Sequence, residues 1–402
     1  MRKKCLICEQ NKLKKILSLG KQPFADTFIN KSHLKKKEPV KNLELDICLN
    51  CGNVQTKYST NTFQRYNLYN YSYTSSNSNF SRTHWTNYAK SLIKDLKINK
   101  ESKVFEIGSN DGFLLKNFRM HSKCYVVGGD ASNYMTKLGI KNKIKTYQMI
   151  FNFNASKKLV KDEGKFDLIV ANNVFNHSDN PLDFLRGVHN LLKENSIFIF
   201  EQPNFTIGVL SLKFDQIYHE HISYFTARNI KSILDYSDLK ILSLSKNEYH
   251  GGSLRTIVSK KNSSLKEFKI DKFVNYENKK NIYKSIFYKK MMKKINLKKK
   301  ILLTKLNNLS AKGYTVSGIG AGAKSNTFLT FYGLDNKIIK FLTDSSKFKK
   351  NKYTPISRII IKDDKELINY KKIACIILSW NISSLVIDKI KKLNNKIKII
   401  YT

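Results

Sequence analysis

The chain has little that would take it out of water. No apolar run approaches the roughly 20 residues a membrane span needs, and the N-terminus lacks the apolar core of a secretory signal. A cytoplasmic protein with no membrane partner is therefore expected. Proline is scarce, with 5 in 402 residues, and so are acids: 31 Asp and Glu stand against 73 Lys and Arg, a formal charge of +42. Such an excess ordinarily points to nucleic acid or an anionic surface. Here it is nearly all Lys, is spread along the chain and accompanies abundant Asn and Ile. An AT-rich coding sequence produces that pattern, so the charge reads as a solvated surface that would also gather a phosphate-bearing ligand. Two nucleotide signatures are missing. Ser-Asn-Asp separates Gly108 from Gly112, which is not the dinucleotide spacing, and no Gly-Lys-Ser/Thr follows the turn at Gly320, which excludes a P-loop. The length exceeds one compact core, so several modules are expected.

Of the six cysteines, four form two close pairs, Cys5-Leu-Ile-Cys8 and Cys48-Leu-Asn-Cys51, with thirty-nine residues between them. In a reducing compartment such pairs point to metal rather than to disulfides. Four thiolates suit tetrahedral Zn²⁺ and leave no open position, so the site is structural. The sequence between the pairs reads as too short and polar to build much of a core, and the metal is expected to supply the missing folding energy.

The rest is organised around Lys103-Val-Phe-Glu106-Ile-Gly108-Ser-Asn110-Asp111-Gly112-Phe-Leu-Leu115, an apolar strand turning through glycines into a helical pattern. Asp111 would repel a pyrophosphate on that turn, whereas Glu106 and Asp111 suit a cationic ligand. A second strand ends at Asp130, where nucleoside-binding α/β domains carry a ribose-binding carboxylate. A third runs from Phe166 to the polar end Asn172-Asn173, and His177 follows on the same carboxyl edge. Before the cradle lies a stretch rich in tyrosine and hydroxyls that includes Tyr71, Tyr73, Ser75 and Ser76. It reads either as a carbohydrate-facing loop or as a polar linker packed on a neighbour.

Tyr218-His219-Glu220-His221 is the densest chemistry in the chain. Two histidines two apart cannot share a helical face as a zinc pair does. An imidazole beside a carboxylate does make a general base. Beyond it come a glycine turn, His250-Gly251-Gly252-Ser253-Leu-Arg255, and a Lys-rich helical connector from about Leu265 to Leu309. A last α/β alternation follows, whose turn puts Lys324, Ser325 and Asn326 at a helix start able to hold an anion.

Taken in order, the two Cys-x-x-Cys pairs, Tyr71-Ser-Tyr73-Thr-Ser75-Ser76, Glu106-Ile-Gly108-Ser-Asn-Asp111-Gly112, Tyr218-His-Glu-His221, Gly251-Gly-Ser-Leu-Arg255 and Gly320-Ala-Gly-Ala-Lys324-Ser-Asn326-Thr resemble the zinc-containing sugar C-methyltransferases of deoxysugar biosynthesis. The resemblance runs over nearly the full length. It implies an α/β protein of three parts: a small zinc-binding N-terminal domain (1–65), a central class I domain (66–262) binding S-adenosylmethionine (SAM) in a Rossmann-like fold, and a helical connector with a C-terminal Rossmann-like domain (263–402). It implies that the substrate is a nucleotide-linked 4-keto-6-deoxy sugar, with dTDP the expected carrier, and that the chain works as a monomer or weak homo-oligomer. By position, His221 would remove the proton α to the ketone at C3, with Tyr218, Glu220, His177, Tyr71 and Tyr73 around it. Glu106, Gly108, Asn110, Asp111, Gly112, Asp130, Asn172 and Asn173 would hold SAM, and Ser75, Ser76, Ser253, Arg255, Lys324, Ser325 and Asn326 the substrate. One departure is Thr343-Asp344-Ser-Ser, which lacks the family's Asn-Pro turn and leaves the nucleotide open. A nucleic-acid methyltransferase is the competing class, but no RNA-binding motif accompanies the charge. That enzyme would also have no use for the Tyr-His-Glu cluster, and retention of every expected polar position argues against a non-catalytic SAM-binding or assembly protein.

Overall fold

In the computed structural model, residues 1–67, 74–76 and 78–402 are described, and three sheets carry the molecule. The first holds β1 (Leu13–Pro23), β2 (Val40–Cys48) and β3 (Val54–Thr56), all antiparallel. Their inward residues, Leu17, Leu19, Leu43, Leu45 and Ile47 among them, join Tyr288, Ile295 and Leu306 of the helix Ser285–Ala311 and Phe328 and Leu329 of the helix Ala323–Tyr332 in one buried cluster. The expectation that this segment builds little core is therefore corrected. Its hydrophobic partners lie some hundreds of residues away along the chain, where a local reading does not look.

The second sheet contains β4 (Lys103–Ile107), β5 (Tyr125–Asp130), β6 (Lys145–Gln148), β7 (Phe166–Asn172) and β8 (Leu192–Pro203). A two-residue strand, β9 (Ser223–Tyr224), leaves this domain to pair with β3, so the segment just before it is tied to the first sheet. The chain then returns as β10 (Leu239–Asn247) and β11 (Ser253–Lys260). The spatial order is β6-β5-β4-β7-β8-β11-β10, and β11 alone runs antiparallel to its neighbours. Numbered within the sheet, this is 3-2-1-4-5-7-6. Val104 and Phe105 of β4 and Leu168 to Ala171 of β7 are fully buried, as central parallel strands covered on both faces must be. The strand order reverses between β4 and β7, and the crevice at their carboxyl ends is where a ligand of such a sheet binds.

Two helices, Asp271–Lys279 and Ser285–Ala311, make the Lys-rich connector. The third sheet, β12 (Thr315–Ile319), β13 (Phe341–Thr343), β14 (Ile361–Lys362), β15 (Ile373–Ile377) and β16 (Lys398–Ile400), is wholly parallel in the order β14-β13-β12-β15-β16. Its reversal lies between β12 and β15. Among the described residues no helix is long and apolar enough to cross a membrane.

Candidate active site

The four cysteines Cys5, Cys8, Cys48 and Cys51 are buried with all Sγ atoms within 4.8 Å of one another, and the pairs Cys5–Cys51 and Cys8–Cys48 are 3.5 Å apart. Thiolates about 2.3 Å from a tetrahedral zinc stand about 3.8 Å from each other, so the cluster has the size the ion requires. The Ile7 N–H, 3.4 Å from the Cys5 sulfur, and the Asn53 amide, 3.7 Å from it, supply the donors a thiolate takes up.

A cavity of about 1190 Å³ lies between the second and third sheets, open to the carboxyl ends of both. On the central side it is lined by Glu106, Gly108, Asn110, Asp130, Asn172 and Asn173. Gly108 has φ +73, and a Cβ there would sit 2.1 Å from Val174, so only glycine makes this turn. Asn110 and Asn173 also take left-handed conformations, which asparagine tolerates. Asp130 accepts from the N–H groups of Asn110 (2.9 Å) and Ser132 (2.8 Å), which aims its remaining lone pairs at the cavity. Burial raises its carboxyl to about 6. Burial, with Asp111 and Asp130 nearby, holds Glu106 well above the usual carboxylate range, and Glu106 Oε2, Asn172 Nδ2 and Asn173 Oδ1 have no partner among the described residues. Two crowded acids and unanswered amide groups fit a cation that carries hydroxyls, which describes SAM.

The Tyr218–His221 turn enters the cavity from the side tethered by β9. His221 Nδ1 lies 3.0 Å from the Gln216 carbonyl, which can only accept, so Nδ1 carries the proton and Nε2 the lone pair. The Tyr218 ring is 3.9 Å from the His221 ring and His177 is 5.1 Å from it, centroid to centroid. Burial holds both imidazoles neutral, pushing His177 down to about 3 and His221 well below its usual range. Tyr66 Oη is 3.1 Å from His177 Nδ1, while His177 Nε2 has no partner among the described residues. Glu220, 2% exposed, is raised to about 7 by burial and by Asp26, whose N–H it accepts at 3.3 Å; its Oε2 has no partner among the described residues. His219 points away, with Nε2 3.2 Å from the carbonyls of Gln22 and Lys41 in the first sheet.

Across the cavity stand Lys324 and Ser325. Lys324 Nζ donates to the His250 carbonyl at 3.3 Å and lies 5.0 Å over the Trp380 ring; burial lowers it to about 8. Ser75 also lines the cavity, its N–H bound to Asn110 Oδ1 at 2.9 Å.

Other expected site residues fall elsewhere. Asp111 accepts from Ser76 Oγ (2.5 Å) and the Ser76 N–H (3.2 Å), so the two hold each other instead of lining the cavity. Gly112 begins the helix Phe113–Ser122 in a left-handed conformation, where a Cβ would press on Ile144. Ser253 is buried and donates to the Tyr249 carbonyl. Arg255 binds Glu201, which is fully buried, at 3.0 and 2.9 Å and stacks over Tyr88. Asn326 donates to the Ala25 carbonyl and ties the third domain to the first. Asp111, Arg255 and Asn326 are each consumed by a segment that the sequence does not place beside them, while Ser253 is taken by the turn four residues before it. Tyr71 and Tyr73 lie outside the described residues.

Residues missed by sequence reasoning include Asp26, Asp344 and Asp179, all on the cavity wall. Asp179 gathers Arg2, Arg65 and Thr62, fastening the N-terminus and the helix Thr62–Asn67 to the carboxyl edge of the central sheet. Only Asp344 had a visible signal, since it closes a strand as Asp130 does.

An open sheet of order 3-2-1-4-5-7-6, with an acid-bearing glycine turn after its first strand and a carboxylate ending its second, defines a class I SAM-dependent methyltransferase. Three family models tile the chain: "Putative zinc binding domain" over residues 5–66, "Methyltransferase domain" over 82–244 and "C-methyltransferase C-terminal domain" over 248–401. C-methyltransferase NovU of Streptomyces niveus is 22% identical over 390 residues, covering 96% of this chain and 92% of the relative. Solved structures similar to part of the chain include a SAM-dependent methyltransferase of Anabaena variabilis (16% identity, TM-score 0.36, 46% of this chain and 86% of that one). Another is the plantazolicin methyltransferase BpumL with SAH (14% identity, TM-score 0.36, 45% and 84%). Together these matches mark the chain as a SAM-dependent C-methyltransferase whose methyltransferase domain is preceded by a zinc-binding domain and followed by a C-methyltransferase C-terminal domain.

Proposed function

We propose that the carbon methylated is C3 of a nucleotide-linked 4-keto-6-deoxy sugar, in cytoplasmic deoxysugar biosynthesis. The observation that carries this reading is the His221 tautomer: a neutral imidazole with its lone pair on Nε2, beside Tyr218 and His177 in the cavity that Glu106 and Asp130 also line. Carbon is a poor nucleophile unless a neighbouring carbonyl takes the charge. In the proposed reaction His221 Nε2 receives the proton α to the C4 ketone, and the electron pair moves onto the ketone oxygen, where Tyr218 Oη and a donor from His177 meet it. Bound SAM supplies an electrophilic methyl on a sulfonium; the new carbon–carbon bond leaves a neutral thioether. Glu106, Asn110, Asp130, Asn172 and Asn173 would orient the cofactor, and Tyr71, Tyr73, Ser75, Lys324 and Ser325 would surround the sugar nucleotide.

A second assignment within the same reaction gives the proton to Glu220, whose carboxyl at about 7, with Oε2 unpartnered among the described residues, suits a base near neutrality. The test is mass-spectrometric. The protein is incubated with SAM and a panel of nucleotide 4-keto-6-deoxy sugars in deuterated water, and a methyl mass gain and solvent exchange α to the ketone are sought. H221A should abolish both; methyl transfer persisting at the normal rate in H221A but lost in E220Q moves the base to Glu220. No gain on any 4-keto sugar by a protein shown to bind SAM would overturn the substrate class.

A further inference from the structure

The third sheet repeats the central one at the place that matters for a nucleoside. After β4, Asp130 accepts from the N–H of Asn110 in the first turn and from Ser132 two residues on. After β12, Asp344 accepts from the N–H of Ala321 in the corresponding turn and from Ser346 two residues on, both at 2.8 Å. Each carboxylate follows the second strand of a parallel unit whose order reverses beside its first strand. Gly320, φ +94, makes the second turn; a Cβ there would meet Ser379 Oγ at 1.8 Å. Both acids line the one cavity, and about 1190 Å³ is room for two nucleosides with their appendages.

We propose that this lobe holds the nucleoside diphosphate of the sugar substrate, with Asp344 on a ribose, so that the carrier is a ribonucleotide. The inference rests on the nucleotide-sugar reading above and deepens it. A carboxylate offers about four acceptor sites. The two backbone N–H groups use one on each oxygen, leaving a pair for the vicinal 2′- and 3′-hydroxyls, as Asp130 leaves a pair for the ribose of SAM. Lys349, itself buried, stands with Nζ 4.0 Å from Asp344 Oδ2 on the same side of the cavity. Ile382, Leu385 and Val386, which follow β15 and line the same cavity, would supply an apolar wall for the base. The diphosphate then runs to the start of the helix Ala323–Tyr332, where Lys324 waits, and Lys324 faces the same space as His221 and His177. The thymidine carrier expected from the family resemblance has no 2′-hydroxyl and would leave half of this arrangement unanswered.

The test is calorimetric, on the full-length zinc protein saturated with S-adenosylhomocysteine, titrated with UDP, GDP, CDP, ADP and dTDP to 1 mM, then with the 2′-deoxy form of the best ribonucleotide. One ribonucleoside diphosphate should bind, and its 2′-deoxy counterpart roughly tenfold or more weakly, the value of a lost hydrogen bond to a charged group. Asp344→Asn should weaken the ribonucleotide by a similar factor and leave S-adenosylhomocysteine affinity unchanged, which certifies an intact central domain. Equal affinity for the ribo and deoxy forms, or tightest binding of dTDP, overturns the ribose assignment and leaves C-methylation of a nucleotide sugar standing. No binding of any nucleoside diphosphate by protein that binds S-adenosylhomocysteine overturns both.

Discussion

Gly251→Ala separates a backbone cost from a packing cost. Gly251 has φ +83, and a Cβ there would lie 2.2 Å from Trp380 Cζ3 and 2.6 Å from Cη2. Gly313 has nearly the same φ, +76, but a Cβ there meets nothing within 4 Å. Forcing alanine into the left-handed region costs about 1–2 kcal/mol at either site. At Gly251 the indole must also move, and its Nε1 donates to Asp215 at 2.6 Å across the seam between the central and third domains. Asp215 is 3% exposed, so its lost bond costs a further 1.5–3 kcal/mol or so. The expected totals are about 3–5 kcal/mol for G251A against about 1–2 for G313A. The chain has two tryptophans, so in a W85F background Trp380 is the sole indole reporter. Its emission should shift to the red in G251A and stay put in G313A, with urea denaturation giving the energies. Because Lys324 and Lys213 lie over the same ring, methyl transfer should fall in G251A as well. Equal destabilisation of the two variants, with an unshifted spectrum, would refute the reasoning that this glycine exists to admit Trp380.

Cys48→Ser should lower bound zinc and soluble yield, read by metal analysis of the purified protein; a fully folded, metal-free variant would sink the structural role. Arg255→Ala strips the partner from the fully buried Glu201 and should cost about 3–5 kcal/mol in thermal or urea unfolding, whereas a loss of substrate affinity without destabilisation would restore Arg255 to the site. Two variants should respond to pH with opposite sign. His177 stays neutral in the fold down to about 3, so the unfolded chain gains a proton below 6.5 that the native one refuses. H177N should gain about 2 kcal/mol on the wild type between pH 8 and 5. Glu220 titrates near 7 in the fold and near 4.5 when unfolded, so the wild type loses native stability as pH rises through that window. E220Q should gain about 2.5 kcal/mol on it between pH 5 and 8. Parallel curves for either variant would mean the group is solvated.

Local signals were legible wherever one short segment carries its own physics. Paired thiols at Cys5, Cys8, Cys48 and Cys51 demand a metal because of their spacing. The run from Lys103 to Leu115 declares a strand, a glycine turn and a helix. The fall to Asp130 ends a strand in an acid. These features depend on neighbours within a dozen residues, so the zinc cluster and the cofactor cradle could be read without coordinates. Arg255 and Asn326 looked like binding groups because they are polar and follow glycine turns; the folded chain gives them to Glu201 and Ala25. Trp380 explains Gly251, and Tyr288 and Leu306 give the first sheet its core. Each of those decisions joins residues far apart in sequence. Contacts of that range come from the packing of whole sheets and helices, and no property of either partner alone encodes them. The sequence by itself thus determined the zinc cluster, the cofactor turn and the elements around them. Only the tertiary structure decided which polar groups face the cavity, because burial spends every polar group that finds a partner and leaves for chemistry the few that do not.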